Sequence, residues 1–170
     1  MRQGIIYKGK LITLQQKEFC LPNGYKVKVE LIRHPGASLV VAFITQAKIL
    51  LLKQFRPVIN AYLYELPAGT RKEGETLLTC ARREIVEETG YSAGKLSALG
   101  EIYPVPGYST EKITIFKAEL LKKHHAALQA EKDEVIEVRM VTKQQVRHLF
   151  KTKKIIDAKT ICALAFCGWL

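Results

Sequence analysis

Short runs of apolar and alternating residues along the chain predict a set of β-strands. Two of them flank Asn23-Gly24 and predict a β-hairpin over residues 10–33, because Asn-Gly is a strong signal for a tight turn. Residues 38–45 are continuously apolar and rich in β-branched side chains, which predicts a central strand covered on both faces. Five further strands are predicted at 48–55, 62–66, 95–103, 111–120 and 134–141.

Three segments carry the signals of helices. From about Thr76 the apolar positions recur at helical spacing, and Gly90 provides a C-terminal stop because it accepts a left-handed φ without cost. Thr142 and Gln145 fit a capping box that begins a second helix. Asp157 is the expected N-cap of a third helix over 158–168.

The order of these elements predicts an α/β fold in which a mixed β-sheet lies between helices. The polar segment 121–132 reads as a loop within it, and we find no repeat, low-complexity segment or linker. We therefore expect one domain over 1–170, with the hairpin at its N-terminus. Its 170 residues and 48% apolar content are ordinary for a globular domain with a sizeable core.

Composition predicts the cellular location, the state of the cysteines and the charge of the ligand. No apolar run approaches the length of a membrane span, and the N-terminus lacks the apolar core of a signal peptide, so the cytoplasm is the expected location. The four cysteines show no CxxC spacing, which predicts reduced, mostly buried thiols rather than a zinc site. The net charge of +11 favours anionic ligands. Without aromatic residues interleaved among the basic ones, nucleic acid is the less favoured partner.

A cluster of acidic residues marks the end of the first predicted helix. Glu84, Glu87 and Glu88 fall at positions i, i+3 and i+4, so their like charges crowd one side of the helix. They also oppose the helix dipole. A solvated acidic face would explain the cluster, and so would a site for a hard divalent cation such as Mg²⁺ or Mn²⁺. Spacing alone favours the solvated face.

The whole stretch 69–91 resembles the Nudix box, a pattern that ends in Arg-Glu, an aliphatic residue, any residue and Glu-Glu before a glycine. The matching residues are Gly69, Glu75, Arg83, Glu84, Ile85, Glu87, Glu88 and Gly90, with Tyr91 at the final hydrophobic position. The resemblance implies a Nudix hydrolase with an α/β/α sandwich fold. It also implies cleavage of a diphosphate linked to another group with the help of a divalent metal, Mg²⁺ with Mn²⁺ as a substitute.

The same resemblance assigns roles to residues in and near the box. Glu84 and Glu88 are the expected metal ligands, joined by Glu87 and by the carbonyl of Ala68. Arg83 and Glu75 match positions that orient these ligands, although an ordinary salt bridge between them is an equal possibility. Glu87 and Arg83 are thus candidates for the catalytic machinery. The expected general base lies in the acidic segment before the last strand, with Glu134 first and Asp133 and Glu131 as alternates.

Two flanking runs narrow the resemblance to the branch that contains ADP-ribose pyrophosphatases. They are Gln54-Phe55-Arg56 with 65–69, and Pro106-Gly107-Tyr108-Ser109-Thr110-Glu111. The implied substrate-binding residues are Arg33, Arg56, Glu65, Tyr108, Ser109 and Glu111. The planar fork of Arg56 suits a phosphate, and a salt bridge to Glu65 is the alternative. His34 could also contact a ligand, although a lone histidine in a loop usually does not.

Members of this branch commonly form homodimers through their N-terminal strands, so 10–33 is the expected dimerisation element, from which Arg33 could reach the partner's site. The most favoured reaction is cleavage of ADP-ribose to AMP and ribose 5-phosphate. GDP-mannose or a broad range of nucleotide sugars is the alternative. A non-catalytic binding module is less favoured, because the box is intact.

Overall fold

The computed structural model describes residues 4–10, 12–124 and 135–170. The N-terminal part forms a three-stranded antiparallel sheet in the order β1-β2-β3, with β1 at Gly4–Lys8, β2 at Thr13–Cys20 and β3 at Lys26–Arg33. The predicted hairpin is confirmed as β2 and β3. Strand β1 was not predicted from its five residues, because such a short run has little pattern of its own; pairing with β2 defines it.

A second, seven-stranded sheet forms the centre of the protein. Five of its strands lie in the order β10-β5-β4-β9-β8, while β6 pairs with β5 and β7 pairs with β4. Only β4 and β9 run parallel among the pairs within this described sheet, so the predicted mixed sheet is confirmed. The strands are β4 (Ala37–Thr45), β5 (Lys48–Arg56), β6 (Ala61–Glu65), β7 (Ala68–Thr70), β8 (Tyr91–Ile102), β9 (Ile113–Lys123) and β10 (Ile136–Thr142).

Strand β4 is the central strand that its continuous apolar run predicted. Successive side chains of a strand point to opposite faces of a sheet. Leu39 and Val41 therefore join one buried cluster, and Val40 and Ala42 join the other. All four are completely buried, so both faces of the sheet are covered.

The helices cover the two faces of this sheet. Helix α1 (Leu77–Thr89) packs on one face, where Ala81 and Ile85 are fully buried. On the opposite face, α2 (Lys143–Lys151) and α3 (Ala158–Phe166) contribute Val146 and Leu164 to the other cluster. The α/β/α sandwich is confirmed. No helix among the described residues is long and apolar enough to cross a membrane.

The predicted helix ends are confirmed by their capping bonds. The Thr76 hydroxyl accepts a hydrogen bond from the Thr79 backbone N–H, and Gly90 ends the helix in the left-handed region at φ 73°. Thr142 and Gln145 form both bonds of the capping box. Asp157 caps α3, which ends at Phe166 rather than at residue 168.

Some boundaries differ from the sequence prediction because partner strands extend them. Strand β9 continues to Lys123, into the predicted loop, since Tyr91 pairs with Lys123 and carries both strands beyond their apolar runs. The short strand β7 contains a glycine and was not among the predicted strands; pairing with β4 makes it a strand. The thiols were expected to be mostly buried, but Cys80 alone among the four is buried, Cys162 and Cys167 are partly exposed, and Cys20 is exposed.

The N-terminal sheet meets the rest of the protein at the loop that precedes β9. The Ile32 backbone N–H donates to the Tyr108 carbonyl at 2.7 Å, and the Thr110 N–H donates to the Ile32 carbonyl at 3.0 Å. This loop contains the predicted Pro-Gly segment. The end of β3 therefore fixes the loop at one side of the cleft described below.

Candidate active site

A cleft of about 1010 Å³ opens between the N-terminal sheet, the box and the first turn of α3. It brings together residues that lie far apart in the sequence. Among them are most of the predicted site residues, namely Arg56, Ala68, Arg83, Glu84, Glu87, Tyr108, Ser109 and Glu111. The lining also contains basic residues that attract an anionic ligand, namely Lys10, Arg71, Lys72 and Lys159.

Strand β7 and helix α1 approach each other closely at Gly69. A Cβ atom added to Gly69 would lie only 1.8 Å from the Glu84 carboxylate oxygen Oε1, so a larger residue cannot occupy this position without displacing that carboxylate. On the neighbouring residue, the Ala68 backbone N–H donates to Glu88 Oε2 at 2.9 Å. Glycine at position 69 therefore lets the Glu84 carboxylate lie against the backbone of β7, where Glu88 also bonds to Ala68.

Arg83 is the centre of the polar network in the box. Its Nε donates to Glu75 Oε1 at 2.7 Å, and its Nη1 donates to Glu84 Oε1 at 2.6 Å and to Glu87 Oε2 at 2.8 Å. Its Nη2 donates to the Thr70 carbonyl at 3.1 Å. One cation thus compensates three carboxylates that would otherwise repel one another. The expected salt bridge between Arg83 and Glu75 is present.

The same network shifts the ionisation of its members. The hydrogen bond from Arg83 lowers the pKa of Glu75 to about 2, and the bond to Glu75 raises the pKa of Arg83 above its ordinary value. Glu75 is therefore ionised throughout the neutral range. A permanently charged Glu75 holds Arg83 in place between the loop and the helix.

The acidic residues of α1 fit a hard divalent ion by their chemistry. Glu84 and Glu88 are buried, Glu87 is partly exposed, and carboxylate oxygens are the ligands that Mg²⁺ and Mn²⁺ prefer. Within residues 4–10, 12–124 and 135–170, however, no three acidic, histidine or cysteine side chains converge on a common point. Arg83 explains this, since its Nη1 lies between Glu84 and Glu87.

Arg56 and Glu65 form a second charged group at the cleft. Arg56 donates to both oxygens of Glu65, at 2.8 Å from Nε and 2.7 Å from Nη2. Only Arg56 lines the cleft, because the Glu65 side chain is 1% exposed and lies behind it. Burial acts to raise the pKa of Glu65, but the hydrogen bonds from Arg56 and Lys159 outweigh it, and the pKa stays below its ordinary value.

The loop before β9 supplies the third side of the cleft. Tyr108 is exposed, and the Ser109 hydroxyl accepts a hydrogen bond from the Glu111 backbone N–H at 3.1 Å. His34 lies beside Glu111 in the cleft, with 3.9 Å between Nε2 and Oε1. Because His34 Nδ1 accepts a bond from the Gly36 N–H at 3.1 Å, a neutral His34 carries its proton on Nε2, on the side of Glu111.

Some predicted site residues lie elsewhere. Arg33 is exposed at the end of β3 and is not part of the cleft wall in a single chain. Glu134 and its alternates Glu131 and Asp133 lie outside the described residues.

Sequence reasoning missed the contribution of α3 to the cleft. Asp157, Ala158 and Lys159 line it, and Thr160 accepts a hydrogen bond from the Leu66 backbone N–H. Asp157 was predicted, but only as a helix cap. No local pattern could have indicated a site here, because the contact joins residues more than 90 positions apart.

A family model described as the NUDIX domain matches residues 33–164. The chain belongs to the Nudix family. Over 161 residues, or 95% of this chain and 87% of that protein, it is 37% identical to the ADP-ribose pyrophosphatase of Bacillus subtilis (strain 168). With the same coverage it is 34% identical to the methanol dehydrogenase activator of Bacillus methanolicus.

One further relative and one solved structure have lower sequence identity to this chain. The chain is 33% identical to the GDP-mannose pyrophosphatase of Shigella flexneri serotype 5b (strain 8401) over 152 residues, which is 81% of this chain and 79% of that protein. The crystal structure of an ADP compounds hydrolase superposes with a TM-score of 0.81, covering 99% of this chain and 90% of that chain. At 20% identity this second likeness concerns the fold alone.

Proposed function

We propose that this Nudix hydrolase cleaves the diphosphate bond of a nucleoside diphosphate sugar with the help of a divalent ion, for which Mg²⁺ is the first choice. The observation that carries the proposal is one cleft with the acidic side of α1 and Arg83 at one wall and Arg56 at another. Diphosphate cleavage requires both charge neutralisation and an anchored phosphate. This cleft offers groups for each.

Glu84, Glu87, Glu88 and the Ala68 carbonyl would hold the ion, which when bound neutralises diphosphate oxygens and polarises water. Arg83 orients the carboxylates from its fixed position against Glu75. In the reaction, the oxygen of water forms a bond to one phosphorus while that phosphorus loses its bond to the bridging oxygen. The proton of water passes to a general base, for which Glu134 remains our proposal. The products are a nucleoside monophosphate and a sugar phosphate.

Arg56 is the proposed anchor for a phosphate of the substrate. Glu65 occupies Nε and one N–H of Nη2, so the edge formed by Nη1 and the second N–H of Nη2 remains available to a ligand. A guanidinium edge with two parallel N–H bonds matches phosphate geometry. Tyr108, Ser109 and Glu111 lie where they could contact the nucleoside or sugar.

ADP-ribose is the proposed first substrate, giving AMP and ribose 5-phosphate. The similarity to the Bacillus subtilis pyrophosphatase supports it, and the similarity to GDP-mannose pyrophosphatase supports GDP-mannose as the second candidate. The test is a panel of nucleoside diphosphate sugars and nucleoside triphosphates incubated with protein and Mg²⁺, with and without EDTA. We expect the highest kcat/KM for ADP-ribose and no turnover in EDTA. Preference for triphosphates, or turnover unaffected by EDTA, would contradict the proposal.

We further propose a single domain over 1–170 that acts as a homodimer in the cytoplasm. Exposed apolar side chains on the N-terminal sheet, including Ile5, Ile6 and Tyr7, support an interface there. In a dimer Arg33 could complete the partner's cleft. All four cysteines are free thiols, which fits the reducing conditions of the cytoplasm.

A further inference from the structure

His34 is a buried side chain at the cleft for which the proposed reaction provides no role. It lies directly after β3, and its side chain is 8% exposed. The Gly36 backbone N–H donates to its Nδ1 at 3.1 Å. A proton on Nδ1 would point at this N–H group, so the bond selects the form of the ring that carries its proton on Nε2. His34 therefore has one N–H donor on the side of the ring away from Gly36.

Two acceptors lie near this donor. The Thr70 hydroxyl is 3.5 Å from Nε2, and Oε1 of Glu111 is 3.9 Å from it. The carboxylate is the stronger acceptor of the two because it is charged. A separation of 3.9 Å is longer than a hydrogen bond, but contacts of this kind in an unliganded site often tighten when the ligand binds.

Backbone bonds hold His34 and Glu111 close to each other from both sides. The His34 backbone N–H donates to the Thr110 hydroxyl at 3.0 Å. Three residues later, the Ala37 N–H donates to the Lys112 carbonyl at 3.0 Å. Glu111 lies between Thr110 and Lys112, so the fold sets its distance from His34. Only a side-chain rotation is needed to close the contact between them.

The surroundings of Glu111 distinguish this arrangement from a histidine that only closes a turn. A purely structural role would be complete with the bond between His34 Nδ1 and Gly36. Nε2 nevertheless lies beside a carboxylate that is 27% exposed and lines the cleft. Over the described ranges of the chain, no lysine or arginine pairs with Glu111, so His34 is the charged or polar side chain placed to direct that carboxylate.

We propose that His34 is a positioning residue for substrate binding. In the complex its Nε2–H group donates to Oε1 of Glu111 and directs the second carboxylate oxygen toward a hydroxyl of the bound nucleoside diphosphate sugar. This inference rests on the proposed function for the class of ligand. It gives the turn after β3 a part in orienting the substrate, in addition to joining the two sheets.

The test uses two substitutions, each of which keeps the hydrogen-bonding group of one ring nitrogen. In His34→Asn the side-chain oxygen can still accept the bond from the Gly36 N–H, but the donor to Glu111 is lost. In His34→Gln the longer amide can place a donor near the position of Nε2, whereas the bond to Gly36 is lost. A positioning role predicts that Asn is the more damaging change, and a structural role predicts the reverse. His148→Asn, at an exposed position of α2, is the matched control.

Affinity is measured by calorimetric titration with ADP-ribose in EDTA, so that binding is observed without turnover. We expect Kd to rise by about tenfold in His34→Asn, which corresponds to about 1.4 kcal/mol, and by no more than about threefold in His34→Gln. The control should match the wild type. In a Glu111→Ala background, His34→Asn should add less than about twofold, because two residues that act as a unit are not additive.

Wild-type affinity in His34→Asn would overturn the inference. An undiminished effect of His34→Asn in the Glu111→Ala background would also overturn it, since His34 would then act without Glu111. A further readout needs no ligand: long-range ¹H–¹⁵N spectra should show the neutral His34 ring protonated on Nε2, and a proton on Nδ1 would contradict the proposal.

Thermal melts check that each variant is folded. Product analysis of the wild type decides the proposed function separately. If ADP-ribose binds with the expected dependence on His34 and Glu111 but is not cleaved, the function fails and this inference stands.

Discussion

The two sheets of this protein differ in what covers them. Helices cover both faces of the seven-stranded sheet, and its central strand is completely buried from Leu39 to Ala42. In the N-terminal sheet every residue of β1 is exposed, including Ile5 at 59% and Tyr7 at 59%. The central sheet is therefore stabilised by apolar burial within the chain. The N-terminal sheet depends on backbone pairing and on whatever covers its apolar side chains.

The ion pairs near the two sheets also differ in their exposure to solvent. The carboxylate of Glu65 is buried and bound by two cations behind the cleft. In the N-terminal sheet Lys26 and Glu18 are 3.9 Å apart, and the lysine is largely exposed to solvent. Water screens the second pair much more strongly than the first. Equivalent substitutions should therefore have large effects near the central sheet and small effects at the N-terminus.

The largest expected effect is on catalysis by Gly69→Ala. The added Cβ would displace the Glu84 carboxylate, which lies 1.8 Å from its position. A displacement of about 1 Å in a catalytic group can cost about 100-fold in rate, so we expect at least that loss in kcat. Steady-state kinetics with ADP-ribose measures it. Gly4→Ala in the N-terminal sheet, where the added Cβ meets no atom within 4 Å, is the control and should keep full activity.

Next in size is the effect of Glu65→Gln on stability. Removing the charge leaves Arg56 and Lys159 without their shared carboxylate. We expect the free energy of unfolding in urea to fall by about 3 kcal/mol, the lower end for breaking a buried ion pair, because both cations retain some access to water. Glu18→Gln, which breaks the exposed pair, should change it by less than about 0.5 kcal/mol. Equal effects would contradict the comparison.

A smaller, pH-dependent effect is expected for Glu75→Gln. The pKa of Glu75 is lowered to about 2 from an ordinary value of 4.5, so the folded state favours the charged form. Its contribution, about 1.5 kcal/mol at the lower end for hydrogen bonds to a charged group, is fully present above pH 4.5. It is lost as the pH falls from there toward 2. Unfolding at pH 7 and pH 3 should show a larger wild-type advantage at pH 7. A wild-type stability advantage that is larger at pH 3 than at pH 7 would contradict this prediction.

The smallest effect on stability is expected in β1. Replacing Ile5, Ile6 and Tyr7 by Ser should change the free energy of unfolding of a single chain by less than about 0.5 kcal/mol per site. If the N-terminal sheet forms the dimer interface, sedimentation should show the mass fall from dimer to monomer. Val58→Ser removes an apolar side chain that is 98% exposed elsewhere, and should leave the mass unchanged. A dimer that survives the triple substitution would place the interface elsewhere.

The elements predicted correctly from sequence are those whose signals are local. Asn23-Gly24 marked the hairpin turn, Thr142 with Gln145 marked the start of α2, and the apolar run of β4 marked the centre of the sheet. The resemblance to the Nudix box placed the acidic side of α1. Each of these depends on a short stretch of sequence with a definite physical consequence.

The missed features depend on contacts between distant residues. Strand β7 exists because β4 pairs with it, and Lys159 reaches the cleft because α3 packs beside the end of β6. The salt bridge between Arg83 and Glu75 was among the predictions, whereas the sharing of one Arg83 nitrogen by Glu84 and Glu87, which compensates the acidic cluster, was not. The spacing of residues along α1 indicated which side chains lie near Arg83. It could not indicate which of them each N–H group of Arg83 bonds.

The most direct test of metal-dependent nucleotide-sugar cleavage is product analysis of ADP-ribose and Mg²⁺ with three proteins: wild type, Glu88→Gln and Glu119→Gln. Gln at 88 can still accept the bond from the Ala68 N–H, so the fold should be kept, whereas Glu119 lies on β9 away from the cleft. We predict AMP and ribose 5-phosphate from wild type and Glu119→Gln. For Glu88→Gln we predict at least about 100-fold less product, since a bound ion supplies several kcal/mol to the transition state. Full activity in Glu88→Gln would contradict the account.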